Sequence, residues 1–179
     1  MRYGQVFYAD PANGIGCRIS LFVSGCRHHC KGCFNPETWD FNYGELFDWK
    51  TADDLIANVG KPYIDGISIL GGEPMEPENQ EELYPFLGQL KYLYPEKTVW
   101  IYTGCKLEEL LADDSEEYYI PGCTMSILRM TDILVDGPFI EELKDITLRF
   151  RGSSNQRVID MKKTLESGKV VLSPYGDKR

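Results

Sequence analysis

Residues 18–35 read RISLFVSGCRHHCKGCFN, an apolar run from Arg18 to Ser24 that passes without interruption into a loop carrying Cys26, Cys30 and Cys33. A short apolar run bounded by a turn residue, here Gly25, predicts a buried strand. Outward from this point the pattern recurs. Segments 66–70 (GISIL), 98–102 (TVWIY) and 132–135 (DILV) are short apolar runs, and stretches with helical spacing separate them. Such alternation predicts βαβ units and a parallel sheet.

The predicted strands end alike, in Ser24-Gly25-Cys26, Gly71-Gly72-Glu73-Pro74, Thr103-Gly104 and Asp136-Gly137-Pro138. Turns bearing glycines and acids at the carboxyl ends of parallel strands are where α/β folds build their sites. A closed eight-unit barrel needs about 250 residues, and this chain has 179. The predicted fold class is therefore α/β, an open partial (β/α) barrel shorter than a full TIM barrel. No repeat, linker or shift in composition divides the chain, so one domain over residues 1–179 is expected.

Helices are predicted over 51–59, 79–94 and 106–112. Thr51 reads as the N-cap of the first, with Asp53 and Asp54 in its opening turn. In the second, Leu83, Phe86, Leu87, Leu90 and Leu93 fall on one face. Pro85 either kinks that helix or marks its start, and Pro95 stops it. Residues 169–172 read as a small terminal strand or an edge.

Acidic side chains number 28 and basic ones 19, a net charge of -9, which argues against a general nucleic-acid binder. No apolar run reaches the roughly 18 residues of a membrane span, and the N-terminus lacks the apolar core of a secretory signal. A soluble, cytoplasmic protein is expected. The placement of the six cysteines agrees, with three inside residues 26–33 and Cys17, Cys105 and Cys123 scattered. A secreted disulfide framework spreads its cysteines, whereas clustered thiols in a cytosolic chain point to metal or redox chemistry.

The spacing Cys-x3-Cys-x2-Cys offers three soft thiolates from one loop. An iron–sulfur cluster fits this set because one short loop can reach three irons. Zinc with His28 or His29 as fourth ligand and plain free thiols are the alternatives. Three thiolates differ from the four of an ordinary electron-transfer cluster, and leave one iron open to a ligand. Cys17, Cys105 and Cys123 are candidates for a fourth ligand, with small buried apolar residues as the favoured reading.

The loop resembles the cysteine motif of radical S-adenosylmethionine (SAM) enzymes. In its wider form, from Leu21 to Asn35, it resembles the activating proteins of anaerobic ribonucleoside-triphosphate reductases, with Gly32 where the wider superfamily often has an aromatic residue. Phe34 would then supply the aromatic cover. Further segments resemble that family in order: Asn13 to Arg18, the SAM-binding turn Gly71-Gly72-Glu73-Pro74, Trp100 to Gly104, Leu134 to Phe139, and Arg151 to Arg157.

The resemblance implies that Cys26, Cys30 and Cys33 ligate a [4Fe-4S] cluster and that SAM chelates the fourth iron. It places Gly71, Gly72, Glu73, Pro74, Phe34 and Asn35 at the cofactor, with Glu73 helping to hold the methionine ammonium. It further implies reductive cleavage of SAM and hydrogen abstraction from a glycine Cα of the reductase, an oxidoreductase activity with flavodoxin as a candidate reductant. The barrel would then be of the radical SAM type. An activase of the pyruvate formate-lyase kind and a zinc-stabilised interaction module without catalysis are the rival functions.

Trp100 and Tyr102 share one strand face, in the core or beside adenine. Asp136 ends a strand at the same rim or caps the next turn, and Arg151 and Arg157 flank a polar stretch that reads as a cofactor or partner surface or as a solvated loop. His28 and His29 read as exposed loop residues. Arg27 and Lys31, in a segment without acids, are expected to raise the cluster potential and attract an acidic electron donor.

Overall fold

The computed structural model describes residues 1–112 and 118–177. Its centre is four strands, β2 (Arg18–Val23), β4 (Gly66–Gly71), β5 (Thr98–Tyr102) and β6 (Ile133–Asp136), paired parallel in that order. The predicted parallel sheet is thus the core of a larger mixed one. The hairpin partner β1 (Arg2–Asp10) runs antiparallel to β2, β3 (Glu45–Leu46) pairs antiparallel with β1, and β7 (Arg157–Asp160) pairs antiparallel with β6. Among the described residues the sheet has seven strands, ordered β3-β1-β2-β4-β5-β6-β7.

One face of this sheet is packed by helices. Ile19, Leu21 and Val23 of β2, Ile67 and Ile69 of β4, Val99 and Ile101 of β5 and Leu134 of β6 form the apolar core. They meet α1 (Trp49–Val59) through Leu55, Ile56 and Val59, and α2 (Pro77–Leu93) through Leu83, Phe86, Leu87 and Leu90. Ile127 and Leu128 of α4 (Thr124–Met130) complete the layer, while the short α3 (Leu107–Leu111) adds Leu107 and Leu110. Each of these side chains contributes about 1.5–3 kcal/mol on burial.

The other face alternates with the first and is built in rows. Arg18, Gly66 and Thr98 are in register at the amino ends, then Ser20, Ser68, Trp100 and Ile133. Phe22 opposite Leu70 and Tyr102 opposite Val135 form the uppermost row. Arg18, 1% exposed, closes the base. Its guanidinium donates to Ser68 Oγ (2.8 Å), Thr98 Oγ1 (2.8 Å) and the carbonyls of Ile67 (2.8 Å) and Thr98 (2.9 Å), and lies over Trp100, whose ring stacks on Tyr175. Burial lowers the Arg18 pKa to about 10, leaving it charged at neutral pH.

Several local expectations change. Helix α1 begins at Trp49, and its N-cap is Asp48, which accepts from the Thr51 N–H, so Thr51 is not the cap and the first turn holds no acid. An ionised carboxylate outcompetes the threonine hydroxyl for the open N–H groups of the first turn. Helix α2 passes through Pro85, which is exposed, so the carbonyl deprived of its partner faces water. Residues 169–172 make a single bridge, Leu172 to Ile159, flanked by Asp160 N–H to the Val171 carbonyl (2.9 Å). They cover the outer edge of β7, to which α5 (Met161–Ser167) returns the chain.

Asp136 and Arg157 turn out to tie the end of the sheet together. Asp136 is fully buried and accepts from the Leu107 N–H (2.8 Å) and the Arg157 guanidinium, which also reaches Glu108. Arg157→Leu should cost about 3 kcal/mol, because it strands a buried carboxylate. Glu108→Gln should cost below about 1 kcal/mol, the Glu108 side chain being 57% exposed. Arg157 holds the Glu108 carboxyl down from 4.5 to about 2, so the pair stabilises the protein above the ordinary value and loses that effect as pH falls towards about 2. Urea midpoints of both variants at neutral and acid pH check the order and the sign.

Candidate active site

The cysteine loop leaves the carboxyl end of β2 and folds back on the segment that follows it. Gly25 N–H donates to the Thr38 carbonyl (2.8 Å), Cys26 N–H to that of Trp39 (3.2 Å), and Cys33 N–H closes a turn on the Cys30 carbonyl (3.1 Å). Gly25 takes a φ of 95°, and a Cβ there would lie 2.4 Å from the Phe41 ring, so only glycine fits. The Gly-Gly-Glu turn leaves β4 alongside. Gly72 N–H donates to the Val23 carbonyl and Glu73 N–H to that of Gly25, both at 2.8 Å. A Cβ on Gly72 would sit 2.6 Å from the Gly25 carbonyl oxygen, so the two segments touch backbone to backbone. Asn79 of α2 clamps the same junction, donating to the Ser24 and Glu73 carbonyls (3.0 and 2.9 Å).

Between these turns lies a cleft of about 670 Å³. Its wall contains Cys26, Cys30 and Cys33, the turn residues Gly71, Gly72 and Glu73, and also Phe34 and Asn35. The turns after β5 and β6 reach it through Thr103, Gly104 and Gly137, and the inner row of the sheet through Phe22, Leu70, Tyr102 and Val135. Pro74 is buried and lies outside the wall, behind the turn. Phe34 stands in solvent at the mouth, 94% exposed. Tyr102 belongs to the wall while Trp100 is core, one row deeper. Asn13 lines the cleft too, its amide held by Asp10 at 2.6 Å. Arg151 lines the opposite side, bound to the Gln156 carbonyl at 2.7 Å.

Electrostatically the site differs from the sequence expectation. Arg27 pairs with buried Glu76 and with Glu78, and Lys31 pairs with Glu141 (3.0 Å) and Glu142 (3.4 Å). Both cations of the loop are thus neutralised by acids from α2 and from the turn at Glu141–Leu143, distant in sequence and close in space. His28 is not an exposed loop residue. Its side chain is 19% exposed, its Nε2 lies 2.8 Å from Glu73 Oε2, and its ring stacks on Tyr118. His29 is exposed and stacks on Trp39 at 4.7 Å.

Glu73, fully buried, accepts from the Met75 N–H (2.8 Å) on one oxygen and from the Gly104 N–H (2.7 Å) and His28 on the other. Its carboxylate is engaged by the protein itself, and the turn offers the cleft chiefly backbone. Cys105, 1% exposed, lies with Sγ 3.6 Å from His28 Nε2. These three groups lie within 4.8 Å of one another, yet as a hydrogen-bonded set rather than an open ligand sphere. Cys123 donates to the Gln80 carbonyl behind the helices, and Cys17 precedes β2 at the far end of the sheet. The soft donors at the cleft are therefore the three loop thiols. Such a set fits an iron–sulfur cluster with one iron free of protein ligands.

Burial pushes the Cys26 thiol up to about 12 and raises Cys30 as well, against the pull of nearby backbone N–H groups. A metal binding there must therefore displace the protons of Cys26 and Cys30. In iron-free folded protein at neutral pH, Cys26 should alkylate far more slowly than in the urea-unfolded chain, with a rate that climbs as pH approaches about 12. Peptide mapping after timed iodoacetamide exposure measures this, and equal rates in the two states would contradict it.

Residues 12–159 match the family described as a 4Fe-4S single cluster domain. The chain is 36% identical over 158 residues to the anaerobic ribonucleoside-triphosphate reductase-activating protein of Enterobacteria phage T4, covering 88% of this chain and 93% of that one. With the proteins of the same name from Salmonella typhimurium (160 residues) and Haemophilus influenzae (158 residues) the identity is 40%. Those alignments cover 88% and 87% of this chain, and 97% and 96% of the relatives. With this likeness along nearly the whole of each partner, the chain belongs to the family of anaerobic ribonucleoside-triphosphate reductase-activating proteins.

Proposed function

We propose that this protein is a radical SAM activase that installs a glycyl radical on anaerobic ribonucleoside-triphosphate reductase. The observation that carries this reading is the convergence of three loop thiols and the Gly-Gly-Glu turn on one cleft at the carboxyl rim of the sheet. Cys26, Cys30 and Cys33 would hold a [4Fe-4S] cluster. Gly71, Gly72 and Glu73, with Phe34 and Asn35, would form the SAM site, and Pro74 would support the turn from behind. When bound, these cofactors supply reductive cleavage of the sulfonium and a carbon radical able to take hydrogen from a glycine Cα.

The chain's own residues supply position and a dry setting. Backbone of the Gly71–Gly72 turn can approach a ligand closely because no Cβ intervenes. Phe22, Leu70, Val135, Phe139 and Leu148 give the cleft an apolar wall, from which a protein substrate covering the mouth would exclude water. At the mouth, Phe34 and Ile146 are 94% and 88% exposed, apolar surface that a protein substrate would cover.

The inward face of the sheet, which bears a cleft where the outward face bears helices, supports an open partial barrel formed by one radical SAM domain over residues 1–179. A flavodoxin-type donor is the proposed reductant. Since Arg27 and Lys31 are both paired, the loop lends it no free positive charge. With a net charge of -9 and no described helix long and apolar enough to cross a membrane, neither nucleic acid nor a membrane is proposed as partner. The expected location is the cytoplasm.

Anaerobically reconstituted protein should hold about four irons and four sulfides per chain. Mixed with reductant, SAM and the reductase, it should give a glycyl radical signal in electron paramagnetic resonance, and Cys→Ser at positions 26, 30 or 33 should abolish it. A signal on pyruvate formate-lyase instead would reassign the partner. Colourless protein with one zinc would overturn the reading.

A further inference from the structure

Glu73 and His28 join the two halves of the cleft through a contact that the proposed chemistry does not by itself require. The imidazole sits in a fitted slot. Tyr118 stacks on one face at a centroid distance of 5.5 Å and 17° between planes. Gly104 borders the ring so closely that a Cβ there would lie 2.6 Å from His28 Cδ2. Cys105 Sγ is 3.6 Å from Nε2, and the same Nε2 lies 2.8 Å from Glu73 Oε2. In sequence, His28 is the midpoint of the span between Cys26 and Cys30, so fixing its ring fixes the path of the loop between two thiols.

Glu73 in turn is not free to follow. Its oxygens are held by Met75 and Gly104 N–H groups, and its own N–H by the Gly25 carbonyl. One carboxylate, through its bonds to His28 and to the Gly104 N–H, therefore links the loop bearing the thiols, the turn after β4 and the turn after β5. We propose that His28 is a positioning residue, whose Nε2–H bond to Glu73 sets the placement of the cysteine loop against the Gly71–Gly72 turn and thereby the approach of SAM to the open iron. The assignment rests on the activase reading above. Partners of this kind, one step behind the metal ligands, commonly change affinity or activity by about 10- to 100-fold when removed.

Three variants separate the donor from the bulk of the ring. His28→Gln can place an amide N–H near the position of Nε2, His28→Asn is too short to reach Glu73, and His28→Leu fills space without a donor. Each is reconstituted anaerobically as the full chain. Iron and sulfide are counted, and the reduced cluster's paramagnetic resonance spectrum is recorded with and without SAM, alongside a SAM titration. The expected result is unchanged iron content in the Gln and Asn variants. SAM affinity should fall about 10-fold or more in Asn and Leu, with a diminished SAM-induced spectral change, and Gln should stay close to the unsubstituted protein.

Wild-type behaviour in all three variants, or equal impairment of Gln and Asn, would overturn the proposal. If His28→Leu fails to fold, the Gln and Asn pair decides alone. A spectrum of the unsubstituted protein that ignores SAM would instead refute the activase reading, and this proposal with it.

Discussion

The site exists because four parallel strands end level. Pairing of β2, β4, β5 and β6 in a continuous register brings Gly25, Gly71, Thr103 and Gly137 out along one rim. A one-residue slip in any of these strands would exchange its two faces. The aliphatic side chains that meet the helices would turn into the cleft, and Phe22, Leu70, Tyr102 or Val135 would turn out of it. The core of Ile, Leu and Val on the helical face thus does more than stabilise the fold. It selects the register from which the functional turns hang.

Charge is handled locally at this rim. Glu73, Glu76 and Asp136 are each fully buried, and each meets a cation or imidazole together with a backbone N–H. A buried carboxylate without such partners would be costly. The pairing also consumes the positive charge of the cysteine loop. An anionic cluster there would sit beside ion pairs rather than a net cationic field, and its potential would depend more on backbone N–H groups and solvent exposure.

Much of this was legible in the chain. The four inner strands are short apolar runs closed by glycine turns, and their predicted bounds fall within a residue or two of those observed. The thiol triplet and the Gly-Gly-Glu turn announce themselves by residue type and spacing. Edge strands were not legible, because β1 is half-exposed or exposed along nearly its whole length and carries no clean alternation, and β7 is only four residues long. Nor was the role of His28, since its partners Glu73, Gly104 and Tyr118 lie 45 or more positions from it in sequence and are brought near only by the fold. The pairing of Arg27 and Lys31 was hidden for the same reason. A segment empty of acids can still be surrounded by them.

Arg18, stacked on Trp100 and bonded to Ser68 and Thr98, puts a floor under the inward face of the sheet. Whatever occupies the cleft must then enter and leave by the rim, past Phe34 and Ile146. A cleft closed at its base and open at its rim would let a docked protein sit over whatever small molecule lies at the bottom, so one surface would serve as the doorway for both.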